Sequence, residues 1–414
     1  MSAPRVLTTI RRAEYAELIG LFFIQGAAMG MWFVPLSAVL DAHGFAGIKP
    51  FAFATSAVAA FISPLAFGAM ADRQASPVKV LRGLALATAL AMALASRSIQ
   101  AGWSTWAVLA CIQLHALCSA PTWGIASTIV FARLEDAKKE FGPIRAMATV
   151  GWGGGCLLVS ALGADHSTLS GYGGAAVWLV VGVLTFFLPA LETPKSAENL
   201  TWTRRLGLDA LALLRVRNHR VVFVTTALFT IPLAGFYPYT PTHLRDLGLQ
   251  HPIAWMSLGQ ITEIIAMFSL GALLLRWRLK WIFACGLAFG VLRFAVSALD
   301  TPAGLITGVI LHGCSFTLVF ITAQIYLDQR VDPAWRARAQ ALMSLMNGGV
   351  GSLLGYLGTG GWFAACTPDG STRWPLFWGG LALLMAVVLG FFLIAYRGRS
   401  AGMGGQPAAT AALR

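Results

Sequence analysis

The chain has 414 residues, of which 57% are hydrophobic and only 11% charged, against about 25% charged in soluble domains. With a mean hydropathy of +0.70, that composition excludes an ordinary soluble domain and points to a membrane protein of several spans. The net charge of +13 does not indicate a nucleic-acid partner, because the basic residues lie in short loops between apolar runs and form no groove-reading helix.

Twelve apolar runs follow one another, near 17–40, 47–69, 78–97, 103–131, 144–163, 174–192, 220–243, 253–275, 279–298, 303–326, 337–360 and 374–396. Each is about the ~20 residues that cross a bilayer as a helix. The first is long enough to span, so it is expected to remain in the mature protein rather than be cleaved as a leader. The longest polar stretch, 193–219, holds Lys195, Arg204, Arg205, Arg215 and Arg217. It predicts a linker between an N-terminal six-helix bundle, 1–192, and a C-terminal one, 220–414.

Lys and Arg set the orientation. The two tails and the loops after even-numbered runs hold 25 of the 30, and the opposite loops hold Lys49, Arg97, Arg245 and Arg373. Both termini and the linker are therefore expected in the cytoplasm. The halves echo each other: Pro143-Ile-Arg145 opens the fifth run and Pro333-Ala-Trp-Arg336 the eleventh, which supports a parallel internal repeat. Glycines crowd the same two runs, at Gly151 and Gly153–Gly155 and at Gly348, Gly349 and Gly351. Small residues let membrane helices approach closely.

One ionisable residue lies near the middle of a span. Glu263 sits in the eighth run, and Gln260 precedes it by one turn, on the same helix face. A carboxyl group facing hydrocarbon is costly, so such residues face a bundle interior or a wet cavity. Arg145 stands at a helix start, where it can reach a site or snorkel to the interface. Arg293 reads as structural, tied to a helix end, and His115 and His312 as hydrogen-bonded packing residues. Trp32, Trp123, Tyr237 and Tyr239 are aromatic candidates, and Ser127, Thr128 and Ser160 read as helix-packing hydroxyls. The six cysteines are scattered without ligand spacing and read as small core residues. No metal, cofactor or enzymatic constellation is expected.

After the second run comes Gly68-Ala-Met-Ala-Asp72-Arg73, followed by Lys79 and Arg82. This resembles the motif of the major facilitator superfamily, whose implied role for Gly68, Asp72 and Arg73 is to latch the halves in one state. A closer resemblance, to the bacterial nucleoside:proton symporters of that superfamily, spans most of the chain. It is carried by Gln25, Gly30 and Trp32, by Pro121 and Thr122, and by Pro143, Ile144, Arg145, Thr149 and Gly151. It continues through Trp202, Thr203 and Leu206–Leu213, then Ser257, Gln260, Ile261 and Glu263, then Leu292–Ala295, Gly313, Cys314 and Phe316, and Pro333, Arg336 and Gln340.

The resemblance implies an all-α membrane protein of 12 transmembrane helices in two bundles, importing a nucleoside with protons by alternating access. It implies a substrate site of Arg145, Thr149, Gln260, Glu263 and Phe316, with Glu263 as coupling residue, Trp152 at an aromatic position, and Tyr237 and Thr317 at further substrate-facing positions. The chain departs from that pattern where the family has an aspartate, here Thr317, and where it has polar amides in the seventh helix, here Ala234 and Tyr237. The implied partners are a nucleoside-like small molecule, protons and the bilayer of the bacterial inner membrane, with the protein a monomer. The competing readings are a sugar or aromatic-acid carrier or an exporter of the same fold, and a non-transporting membrane sensor.

Overall fold

The computed structural model describes residues 15–72, 76–189, 201, 208–332 and 335–398. Among the described residues the regular structure is helical, which satisfies the backbone within each segment where lipid offers no hydrogen-bond partner. The first half comprises α1 (Ala16–Phe33, continuing as Leu36–Ala42), α2 (Lys49–Asp72), α3 (Pro77–Gln100), α4 (Thr105–Phe131), α5 (Ala137–Ala161) and α6 (Leu169–Leu184). A tight helical stretch, Leu208–Arg215, precedes the second half. There α7 runs Arg217–Leu233 and Phe236–Asp246, α8 Pro252–Met256 and Leu258–Arg276, and α9 Leu279–Ser297. Next come α10 (Pro302–Phe316 and Thr322–Arg330), α11 (Arg336–Ser344 and Ser352–Ala365) and α12 (Trp374–Ala395). Nine of these, among the described residues, are long and apolar enough to cross a membrane, and Ala46–Ile62 and Leu169–Leu184 are shorter apolar helices.

The breaks have local causes. Pro35 lacks an N–H and interrupts α1, and Ala234–Gly235 interrupts α7 just after Pro232. In α10 and α11 the joints are wide π turns, Thr317–Ile321 and Leu345–Gly351, a form that recurs at functional positions in helices.

Packing repeats between the halves. In the first, α1 packs on α5 and α6, α3 on α4 and α6, and α2 on α4; in the second, α7 packs on α11 and α12, α9 on α10 and α12, and α8 on α10. These are the same pairings advanced by six helices, as a parallel repeat requires. Among the described residues each bundle has one large hydrophobic core, the second also has a small separate cluster of Leu270, Ile282 and Leu318, and Met31, Val34, Cys156, Val159 and Ala164 from the first half pack into the core of the second.

The tightest contact inside the first bundle is between α1 and α5. A Cβ on Gly151 would lie 1.9 Å from the Phe23 carbonyl oxygen, and one on Gly26 would lie 2.1 Å from that of Ala148. Only hydrogen fits at these crossings, so Gly151 and Gly155 serve close backbone approach; a Cβ on Gly155 would lie 2.3 Å from the Ala27 carbonyl oxygen, whereas Gly153 and Gly154 would admit a Cβ.

The bundles meet along α5 with α8 and α2 with α11, and the outer piece of α1 meets that of α7. The face opposite the start of α1 and the end of α12 is closed by buried polar contacts. Lys49 and Asp41 form an ion pair at 2.8 Å, and both bond the Thr242 hydroxyl of α7 at 2.9 Å. The Ser37 hydroxyl donates to the Pro238 carbonyl. Asp165, following α5, accepts from the Ile253 N–H at the start of α8 (3.1 Å) and from Ser160 (2.7 Å), whose hydroxyl accepts from the Ala254 N–H (2.9 Å). Ser160 is thus a bundle-to-bundle bridge, unlike Ser127 and Thr128, which bond carbonyls of their own helix.

The motif expected at Gly68, Asp72 and Arg73 falls at the end of α2. The helix backbone reaches Asp72, while the motif's side chains and Arg73 lie outside the described residues, as do Pro333 and most of the 193–219 linker. Within the described part of that linker, Leu208–Arg215 is pinned to α11 by an Asp209–Arg338 ion pair of 3.2 Å.

Candidate functional site

Of the expected site residues, Thr149, Trp152, Gln260 and Glu263 lie where α5 crosses α8. Thr149 and Trp152, three positions apart on α5, face one way, as do Gln260 and Glu263 on α8. The Thr149 hydroxyl donates to Glu263 Oε1 at 3.3 Å. Glu263 is half-buried at the seam between the bundles, not turned out to lipid. One turn away, Gly153 faces Gln260, and a Cβ built on it would meet Gln260 Cβ at 3.7 Å, an ordinary packing distance. Gln260 is buried and, with its amide nitrogen turned inward, donates to the carbonyls of Met256 (3.1 Å) and Ser257 (3.2 Å). That leaves its carbonyl oxygen for another donor.

Behind Glu263 stands α10. A Cβ on Gly313 would fall 2.2 Å from the Glu263 backbone nitrogen and 2.3 Å from the Gly259 carbonyl oxygen, so the two helices are in backbone contact there. Thr317, one turn on, donates to the Glu263 carbonyl oxygen at 3.4 Å. The residue standing at the departure from the family's acid thus supports the α8 backbone and does not touch the carboxylate. Gly313→Ala is expected to push α10 off α8 at an overpacking cost of about 1–3 kcal/mol. A lower thermal unfolding midpoint in detergent would register it, and an unchanged midpoint would show that α10 can yield.

Aromatic rings fill the neighbouring space. Trp152 and Tyr237 have centroids 6.1 Å apart, and Phe33 of α1 lies 5.9 Å from the first and 5.2 Å from the second. The Trp152 indole N–H is buried without a hydrogen-bond partner among the described residues, although such groups are nearly always paired. Phe316 is tied to this cluster through His312, 5.9 Å from Phe316 and 5.9 Å from Tyr237. Sequence reasoning missed Phe33; its one signal was an aromatic two residues before Pro35, where α1 breaks.

Arg145 enters from the terminus-bearing side. Its guanidinium lies 4.6 Å from the Trp123 ring and 5.5 Å from that of Phe22, a cation–π shelf made by α4 and α1. Among the described residues it forms no ion pair with Glu263. Trp123 is therefore Arg145's platform.

Three expectations need correction. Among the described residues Arg293 is held by no helix end. It is fully buried, donates to His312 Nδ1 and lies 4.3 Å from the Phe236 ring, so ring faces and an imidazole disperse its charge. His115 is buried with neither nitrogen hydrogen-bonded among the described residues; it packs against Trp32 at 4.9 Å as an apolar ring. Tyr239 is buried between Phe363 and Phe377, away from the α5–α8 crossing.

Comparison with known proteins gives a consistent result. Residues 14–400 match the sequence profile of the family described as Nucleoside H+ symporter. The chain is 36% identical to YegT of Escherichia coli K12 over 406 residues, covering 92% of this chain and 93% of that one. It is 28% identical to the nucleoside permease NupG of the same organism, covering 86% and 90%. The crystal structure of the nucleoside transporter NupG superposes with a TM-score of 0.82 at 27% identity, covering 93% of this chain and 99% of that one. The POT family transporter PepTSo superposes with a TM-score of 0.69 at 14% identity, a likeness of fold alone.

Proposed function

Because the chain belongs to the nucleoside H+ symporter family, we propose that it imports a nucleoside together with a proton across the bacterial inner membrane. The fold is that of a multi-pass secondary transporter rather than an enzyme. Residues 1–192 and 220–414 act as two units rocking about the central site, joined by 193–219, with both termini in the cytoplasm and the protein working as a monomer.

The observation that carries this reading is the aromatic cluster of Trp152, Tyr237 and Phe33 one turn from the Thr149–Glu263 bond. A nucleobase needs a flat apolar face, and stacking on an aromatic is worth about 1–3 kcal/mol per base. Its carbonyls and ribose hydroxyls need partners in a site from which water is largely excluded. The orphan indole N–H of Trp152 offers a donor, the Gln260 carbonyl and Glu263 carboxylate offer acceptors, and Arg145 offers further donors at the open side.

In the proposed cycle Glu263 takes a proton from the face opposite the termini, and substrate then binds against Gln260 and the rings. With its charge neutralised the site can be enclosed, and release of both ligands to the cytoplasm resets the carrier. Closure of the opposite face by the Asp41–Lys49–Thr242 and Asp165–Ile253 contacts corresponds in this cycle to a form open to the cytoplasm.

The test is competition for uptake among uridine, adenosine, lactose and phenylpropanoate. Inhibition by the nucleosides alone is expected, and inhibition by lactose or phenylpropanoate alone would transfer the protein to the sugar or aromatic-acid reading. Trp152→Ala should weaken nucleoside binding by about 5- to 150-fold, the equivalent of ~1–3 kcal/mol of stacking. Thermal-shift titration of purified protein reads that loss directly, and equal shifts in both proteins would remove Trp152 from the site.

A further inference from the structure

The turn between α8 and α9 reads Arg276-Trp277-Arg278-Leu279-Lys280-Trp281. It lies at the end of the molecule where α12 stops, because the Lys280 ammonium donates to the Leu393 carbonyl oxygen at 3.2 Å. Between this turn and the last turns of α12 runs a groove of about 730 Å³. Its wall is Ala284, Cys285, Ala288, Leu389 and Leu393, and Arg276 and Arg278 stand at its rim with the two tryptophans.

The charge at this rim is unbalanced. From residue 264 to residue 299 the chain contains no Asp or Glu, and none occurs from residue 370 to residue 398. Arg276 and Arg278 are exposed and have no salt bridge or hydrogen bond among the described residues. Trp277 and Trp281 are 48% and 55% exposed; such rings are typical of the membrane–water boundary. The cationic rim and apolar wall together ask for a ligand that is anionic at one end and hydrocarbon at the other. A guanidinium pair matches phosphate geometry, and the wall suits an acyl chain.

We infer that this groove holds an anionic phospholipid, with its phosphate on Arg276 and Arg278 and one chain lying against α9 and α12. The site is separate from the α5–α8 crossing and independent of what the carrier transports.

The test uses the full chain in phosphatidylcholine nanodiscs carrying a minor fraction of spin-labelled phosphatidylglycerol. The preference for the labelled lipid over a labelled phosphatidylcholine is read from the motionally restricted signal. Arg276→Gln and Arg278→Gln should each lower that preference about fivefold, the change given by ~1 kcal/mol per basic residue at an anionic surface. Arg373→Gln, at the other end of α12, is the control and should leave the preference unchanged. Both arginines are exposed, so the variants are expected to fold, and monodisperse elution checks this. The proposal fails if the double variant keeps the wild-type preference, if Arg373→Gln lowers it equally, or if inorganic phosphate displaces the lipid, which would mark a site for soluble anions.

Discussion

Glu263→Gln is expected to abolish uphill accumulation while leaving exchange of labelled for unlabelled substrate intact. The substitution keeps the side chain's shape and its ability to accept from Thr149 Oγ1, the bond seen at 3.3 Å. It removes the ability to alternate between charged and neutral forms. One proton moved inward with each substrate across 100 mV supplies about 2.3 kcal/mol, enough for a roughly fifty-fold gradient at 1.4 kcal/mol per tenfold. In proteoliposomes with an imposed proton gradient, that concentrating power should collapse to about one, with counterflow retained. Undiminished accumulation would reject Glu263 as the coupling group. Loss of counterflow as well would assign it to substrate binding alone.

Asp165→Ala is expected to open the face opposite the termini. The carboxylate is 4% exposed and bonds the Ile253 N–H and Ser160 hydroxyl, holding the start of α8 against the end of α5. Hydrogen bonds to a charged group contribute about 1.5–3 kcal/mol, and the negative charge also favours the N-terminal end of a helix. Losing them should shift the balance between closed and open forms about 10- to 150-fold. Ser37 reports the change, since it is fully buried and bonds Pro238 across the same seam. With Ser37→Cys in a background lacking the native cysteines, maleimide labelling should accelerate at least tenfold when Asp165→Ala is added. A lower unfolding midpoint with unchanged labelling would make Asp165 a structural cap and not a gate.

The sequence carried the spans and the repeat, because lipid forces each crossing into an apolar run of set length and the two halves kept their order of runs. Glu263 was legible for a related reason: an acid in hydrocarbon has few places to face. The aromatic cluster was only half legible. Trp152 and Tyr237 stood out as rings, but whether they meet depends on the rotation of α5 and α7 about their axes, and Phe33 gave no sign of its part. The closing contacts were not legible at all. Lys49 counted only as a loop cation, and the partners of Asp41 and Asp165, Thr242 and Ile253, lie 201 and 88 residues away along the chain. Arg293 was misread because a buried cation suggests a carbonyl or carboxylate, whereas an imidazole and ring faces hold it here.

The glycine crossing of α1 on α5 bears on how the site can deform. Backbones that meet with only hydrogen between them are in direct contact, so in the proposed cycle Phe33, Thr149 and Trp152 would travel as one plate. The dimension that varies in that cycle would be the distance from that plate to α8. A cargo would therefore be gauged by its thickness between the rings and Gln260, and discrimination among planar compounds should depend more on bulky groups projecting from the ring plane than on its outline.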